Sequence, residues 1–149
     1  MANYYYEDAK ERISGERHAA IVIKENKLLV IHRIKEEYEY CVLPGGNKRK
    51  GEKGEDAAVR ETKEETNIDC INPQLVFEFR DYTKNNIDYY YLCEWKKGTK
   101  PKLTGEEAVR NCKENFYEPM WVALKDIQNL NILPYFAKYW LLENIKKLS

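Results

Sequence analysis

Three glutamates, Glu61, Glu64 and Glu65, are spaced so that they could bind a divalent metal ion together. A helix predicted over residues 55–66 turns by about 100° per residue, which places all three side chains on one face. Like charges this close repel one another, and a hard cation such as Mg²⁺, which prefers oxygen ligands, would remove that repulsion. Because carboxylate-bound Mg²⁺ can also bind phosphate oxygens and water, the spacing favours a metal-dependent phosphate-cleaving site.

The residues around these glutamates predict the elements that would position them. Pro44, Gly45 and Gly46 form a turn signal, because glycine supplies backbone angles that are closed to other residues. The helix would begin near Glu55, where acidic side chains suit the helix dipole, and end near Thr66. The face opposite the three glutamates, which we expect to pack on a core, carries Ala58, Val59 and Thr62.

A glutamate-rich helix is, taken alone, more often a solvated acidic surface, so the wider spacing must decide between the two interpretations. The segment resembles the Nudix box, G-x5-E-x7-R-E-U-x-E-E-x-G-U, in which U is aliphatic. The positions that match are Gly46, Glu52, Arg60, Glu61, Glu64, Glu65 and Ile68. Thr62 stands where the family prefers an aliphatic residue and Asn67 where it has glycine, but no carboxylate of the box is missing.

The resemblance implies roles for the matching residues. The metal ligands would be Glu61, Glu64, Glu65 and the carbonyl of Gly46. The ion would be Mg²⁺, with Mn²⁺ as the alternative, and it would withdraw charge from a diphosphate and acidify a bound water. The residues of the catalytic site would be Glu61, Glu64, Arg60, Glu52 and Glu106. Within it, Arg60 and Glu52 would pair and orient the carboxylates rather than take part in the chemistry.

Other family positions are implied outside the helix. Glu61, or alternatively a distal glutamate, would act as the base toward water; Glu106 is the candidate and Glu107 the reserve. Substrate would contact the Gly45–Gly46 turn and Arg33, whose guanidinium suits phosphate or a purine edge. The alternative interpretation of Arg33 is an ordinary surface arginine.

Composition narrows the class of protein. The 149 residues are 43% hydrophobic, which fits a single domain over residues 1–149, with residues 1–15 as an N-terminal arm or short helix. A formal net charge of zero argues against a stable nucleic-acid complex. No apolar run is long enough to span a membrane, and four scattered cysteines predict neither a zinc site nor disulfides. We therefore expect a cytoplasmic protein that acts on a small nucleotide; a homodimer is left open.

Periodicity predicts the remaining elements. Residues 18–23 and 28–34 form a strand hairpin around a turn at Glu25, Asn26 and Lys27, and residues 41–43 form a short strand. A second hairpin covers residues 74–82 and 87–95, and its first strand alternates so that one face carries Leu75, Phe77 and Phe79. A further strand covers residues 117–123. Helices are predicted over residues 124–130 and 134–148, and the core residues of the second would be Phe136, Tyr139, Trp140 and Ile145. The order implies an α/β fold, a Nudix-like α/β/α sandwich with a mixed β-sheet between helices.

The resemblance implies Mg²⁺-dependent hydrolysis of a phosphoanhydride bond in a nucleoside diphosphate linked to another group. A nucleoside triphosphate or modified nucleotide, cleaved by a MutT-like pyrophosphohydrolase, is the first candidate. ADP-ribose, a dinucleoside polyphosphate and the 5′ end of RNA are the alternatives. A non-catalytic nucleotide-binding module and a structural metal domain are the other classes left open.

Overall fold

The computed structural model describes residues 12–102 and 115–149. These residues contain seven strands: β1 (Glu16–Lys24), β2 (Lys27–Lys35), β3 (Tyr38–Val42), β4 (Gly45–Gly46), β5 (Cys70–Asp81), β6 (Asn86–Trp95) and β7 (Asn115–Ala123). The helices are α1 (Gly54–Thr66), a 3-10 helix (Leu124–Asn129), α2 (Tyr135–Glu143) and α3 (Ile145–Leu148). No helix within the described ranges is long and apolar enough to cross a membrane.

The strands form one mixed sheet. The order is β3-β2-β1-β6-β5, with β4 paired to β1 and β7 paired to β2. β1 and β6 run parallel from the Glu16–Ile87 pair to the Ile23–Glu94 pair, and the other pairings between these strands are antiparallel. β1 and β2 pair only beside their hairpin turn, so the start of β1 is open to receive β4.

The first hairpin confirms the predicted turn. Glu25 and Asn26 have φ angles of 48° and 62°. Two consecutive residues with positive φ suit a tight hairpin turn, because their twist matches the right-handed twist of the flanking strands.

Side chains of β1 alternate between two cores, which confirms the predicted sandwich. Ala19 and Ile21 pack in the core that contains residues of the 3-10 helix, α2 and α3. Ala20 and Val22 pack in the opposite core, which contains Ala58 of α1. A sheet that is buried on both faces lies between helical layers, as an α/β/α arrangement requires.

Helix α1 begins and ends close to the predicted residues. Its C-cap, Asn67, is left-handed with φ 66°, and the Asn67 N–H donates to the Lys63 carbonyl at 3.0 Å. Thr62 is fully buried, as predicted, and its hydroxyl donates to the Ala58 carbonyl at 2.7 Å. The Nudix box prefers an aliphatic residue at this position. The buried hydroxyl of Thr62 is tolerated there because its hydrogen-bond acceptor lies within the same helix.

Two details of the predicted elements are wrong. The helix predicted over residues 134–148 is broken at Asn144, so α2 and α3 are separate, and Tyr139 is 66% exposed rather than part of the core. In β5, a register shift between Leu75 and Phe77 interrupts the predicted alternation. Leu75 is consequently 50% exposed instead of lying on an apolar face with Phe77.

The left-handed cap gives a stability test. Asn67→Ala and Asn67→Gly both lose the side-chain hydrogen bond to the Lys100 carbonyl, so their difference isolates the backbone conformation. Because a Cβ disfavours positive φ, we expect Asn67→Ala to have a lower free energy of unfolding than Asn67→Gly by about 1 kcal/mol. Urea unfolding of both variants measures this difference, and equal stabilities would contradict the role of the cap.

Candidate active site

The Gly45–Gly46 turn lies against both the sheet and helix α1. In β4, Gly45 pairs with Ala19 and Gly46 pairs with His18. A Cβ at Gly45 would lie 2.5 Å from the His18 carbonyl oxygen, and one at Gly46 would lie 2.6 Å from the carboxyl carbon of Glu61. Only glycine permits these approaches, so the turn brings backbone polar groups next to a carboxylate of the helix.

Arg60 joins the helix to the loop that precedes it. Its Nε and Nη2 donate to the two carboxylate oxygens of Glu52 at 2.8 and 3.0 Å, and Nη2 also donates to the Asn47 carbonyl at 3.1 Å. Glu52 accepts a further bond from the Arg49 N–H at 3.0 Å. Burial alone would raise the pKa of Glu52, but the bonds from Arg60 and Arg49 outweigh it and hold that pKa below its ordinary value.

The same guanidinium contacts two of the three glutamates. Arg60 Nη1 donates to Glu61 at 3.0 Å and to both carboxylate oxygens of Glu64 at 3.2 Å. Glu61 is only 7% exposed, and burial raises its pKa; Arg60 opposes that increase and Glu64 reinforces it. The ionised form of buried Glu61, which lies beside Glu64, is therefore stabilised by Arg60, because this one guanidinium bonds both carboxylates.

Glu65 occupies a different position from its two neighbours. Its Oε1 accepts a hydrogen bond from the Gly45 N–H at 2.9 Å. It also lines a cleft of about 220 Å³. The residues lining this cleft are Arg17, Ala19, Ile31, Arg33, Val42, Leu43, Glu65, Tyr90, Tyr117, Leu133 and Pro134.

Two arginines reach this cleft from neighbouring strands. Arg33 Nη2 donates to the Tyr117 hydroxyl at 2.7 Å, and its guanidinium carbon lies 4.2 Å from the Tyr117 ring centroid. The buried Nε–H of Arg33 has no acceptor among the described residues. Arg17 donates to the carbonyls of Leu43 and Gly45 at 2.9 and 3.3 Å, which ties the glycine turn to β1.

These features match a known family. A family model described as the NUDIX domain matches residues 16–141. The chain belongs to the Nudix family. A similar curated protein, the uncharacterized Nudix hydrolase YvcI of Bacillus subtilis, is 33% identical over 112 residues. That match spans 74% of this chain and 66% of the Bacillus protein, slightly less than two thirds of its length.

Several solved structures share the fold. The Escherichia coli ORF135 protein gives a TM-score of 0.61 at 21% identity, covering 89% of both chains. A MutT structure, from work on the Aliivibrio salmonicida and Vibrio cholerae enzymes, gives 0.61 at 19% identity, covering 89% of this chain and 98% of that one. An ADP-ribose pyrophosphatase of Streptococcus suis gives 0.58 at 19% identity, covering 79% and 78%.

The three glutamates of this Nudix helix share a side of the helix but do not converge on one point. Within residues 12–102 and 115–149, no three His, Cys, Asp or Glu side chains are close enough to hold one metal ion. Glu65 is bonded to the glycine turn, whereas Glu61 and Glu64 are bonded to Arg60. The donor set still fits a hard divalent cation, because it consists of carboxylate oxygens beside a backbone turn. For all three glutamates to bind one ion, at least one of these side chains would have to move.

The two distal glutamates lie outside the described residues, and two residues of the site were not predicted from the sequence. Glu106 and its reserve Glu107 lie outside the described residues, so the distal base stays a prediction. Arg17 and Tyr117 were not identified from the sequence, although both contact the cleft or the turn. Only knowledge of which strands are neighbours would have indicated them, because each comes from a strand distant in sequence from the Nudix box.

The Glu52–Arg60 pair predicts a pH-dependent stability. Its lowered pKa means that ionised Glu52 stabilises the fold above its ordinary pKa of 4.5, and that this contribution is lost as the pH falls through the lowered value. We expect Glu52→Gln to reduce the free energy of unfolding at pH 7 by about 1–3 kcal/mol. The deficit should shrink as the pH falls below 4.5.

Urea unfolding at several pH values measures this deficit. Glu55→Gln is the matched control, because Glu55 is exposed in the first turn of the same helix. It should change stability by no more than about 0.5 kcal/mol. A Glu52→Gln deficit that does not vary with pH would contradict the pairing.

Proposed function

We propose that this Nudix protein is a Mg²⁺-dependent pyrophosphohydrolase that cleaves a phosphoanhydride bond in a nucleoside diphosphate linked to another group. One observation carries the proposal: Glu65 of the Nudix helix also forms a wall of the cleft that contains Arg17 and Arg33. A carboxylate surface suited to a cation and a cleft with basic side chains therefore adjoin each other. A polyphosphate joined to a nucleoside needs both kinds of contact.

Substrate binding is assigned to the cleft. The orphaned Nε–H of Arg33 is a donor for a phosphate oxygen or a base edge, and Tyr117 holds the guanidinium through its hydroxyl and ring. The described part of the cleft, about 220 Å³, is below the range of about 300–1,000 Å³ that is usual for drug-sized ligands. This size favours one nucleoside unit in the cleft, and hence a nucleoside triphosphate or modified nucleotide over a dinucleoside polyphosphate.

The catalytic roles are assigned to the helix and the turn. Members of the Nudix family generally use divalent metal ions, and Glu61, Glu64, Glu65 and the Gly46 carbonyl would hold one here. When bound, Mg²⁺ supplies Lewis acidity toward phosphate oxygens and acidifies water. Arg60 and Glu52 orient the carboxylates, and Arg17 positions the turn through its carbonyls. Glu61, or alternatively Glu106, accepts the proton of the attacking water.

The reaction can be tested directly. A Mg²⁺-dependent screen of nucleoside triphosphates, modified nucleotides, ADP-ribose, dinucleoside polyphosphates and 5′-triphosphorylated RNA is followed by mass spectrometry. Running it in ¹⁸O-labelled water reports which phosphorus is attacked. Release of a nucleoside monophosphate and pyrophosphate from a triphosphate is the expected result. Tight binding of nucleotides without turnover would instead indicate a non-catalytic module.

The metal assignment predicts that two conservative variants lose activity. Glu64→Gln and Glu65→Gln keep side-chain size but remove the negative charge, so each should lower turnover by on the order of 10³-fold while the fold is retained. Glu55→Gln, on the same helix, should retain full activity. Steady-state kinetics and circular dichroism check both parts, and full activity of both site variants would refute the assignment.

The substrate assignment predicts a change in KM. Arg33→Gln removes a charged donor from the cleft, so KM should rise by roughly tenfold to a hundredfold with a smaller change in kcat. Tyr117→Phe keeps the ring and removes the hydroxyl that accepts the 2.7 Å bond, so its effect should be smaller. Lys35→Gln, exposed at the end of the same strand, is the control. An unchanged KM for Arg33→Gln would remove Arg33 from the binding site.

A further inference from the structure

β5 is the last strand on one side of the sheet. It pairs with β6 along one edge, and its other edge pairs with no strand among the residues that the structure describes. An unpaired strand edge presents a row of N–H and C=O groups that can pair with another strand. Proteins usually block such edges with proline, bulges or charges.

The proline and the bulges of β5 lie in its first half, and charged side chains are the only one of these protections in its second half. Pro73 lies in the first half, and the pairing with β6 shifts register between Ile71 and Gln74 and again between Leu75 and Phe77. From Phe77 to Asp81 the register is continuous for five residues. The second half of β5 is therefore a regular strand that is able to accept a partner.

The side chains of this second half are unusually exposed for a sheet strand. Glu78, Phe79 and Arg80 are all exposed although they point alternately to the two faces of the sheet. Phe79 is 38% exposed despite stacking on Phe136 of α2. Across the described residues, neither Glu78 nor Arg80 forms an ion pair. Two unmatched charges thus flank an exposed aromatic ring.

Symmetry selects one way of pairing this segment with its own copy. A two-fold axis that pairs a strand antiparallel with itself runs perpendicular to the sheet through one residue position. The rotation leaves each side chain on the same face of the sheet. The residue before the axis position in one copy therefore lies opposite the residue after that position in the other copy. An axis at Glu78 or at Arg80 would oppose like charges. With the axis at Phe79, the two Phe79 rings lie opposite each other. Glu78 of each copy then lies opposite Arg80 of the other copy, which gives two pairs of opposite charges.

We propose that the protein forms a homodimer through the outer edge of β5, with residues 77–81 of two copies paired antiparallel about an axis at Phe79. The opposite charges at two positions and the aromatic pair on the axis are each favourable across strands. The two sheets then become one continuous sheet across the dimer. The Nudix helix and the cleft take no part in this contact.

Sedimentation equilibrium of the full chain at low salt tests the proposal through a charge exchange. Glu78→Arg and Arg80→Glu each oppose like charges at two positions, so each should raise the dissociation constant roughly tenfold or more. The double variant Glu78→Arg/Arg80→Glu restores opposite charges in the same register, so it should dimerise like the wild type. Glu37→Arg, an equal charge change in the β2–β3 turn, should have no effect.

Three results would overturn the proposal. They are a wild type that stays monomeric over the whole concentration range, single variants that dimerise like the wild type, and a double variant as weak as the single ones. Hydrogen exchange on the wild type gives an independent measurement that needs no substitution. Amides of residues 77–81 should gain protection at high protein concentration, and equal protection at both concentrations would also overturn it.

Discussion

The site depends on one half-buried cation, the guanidinium of Arg60. Three glutamates on one helical face repel each other, and the repulsion increases as Glu61 is buried. Arg60 offsets this by donating to two of them while its other nitrogens bond Glu52 and a loop carbonyl. The helix and the loop before it are therefore held together by the same group that makes the acidic face tolerable. A lysine could not replace it, because it lacks the planar fork that reaches several acceptors at once.

The glycine turn extends this arrangement to the sheet. Its carbonyl at Gly45 accepts from Arg17 of β1, and its N–H donates to Glu65 of α1. Backbone groups that would otherwise be left unpaired in a buried turn thus connect a strand to the helix. The cleft and the carboxylates consequently keep a fixed relation, although they come from β1, β2, β7 and α1.

Local signals predicted much of this structure. The helix limits, the left-handed Asn67 and the first hairpin follow from residues adjacent in sequence, and all are observed. The directions of the three glutamates could not be predicted, because Arg60 and the Gly45 N–H determine them. Arg17 and Tyr117 were also out of reach, since their positions depend on strand neighbours. Periodicity failed at Leu75, where a bulge in β5 changes the face on which side chains lie.

Parallel pairing of β1 with β6 affects the order in which the molecule can fold. Glu16 pairs with Ile87, so the central pair of the sheet joins segments that are separated by the whole Nudix box, including its helix. Closing so long a loop costs conformational entropy before the two strands can form stabilising contacts, and this cost slows folding. During synthesis on the ribosome, β1 cannot pair with β6 until β6 has emerged.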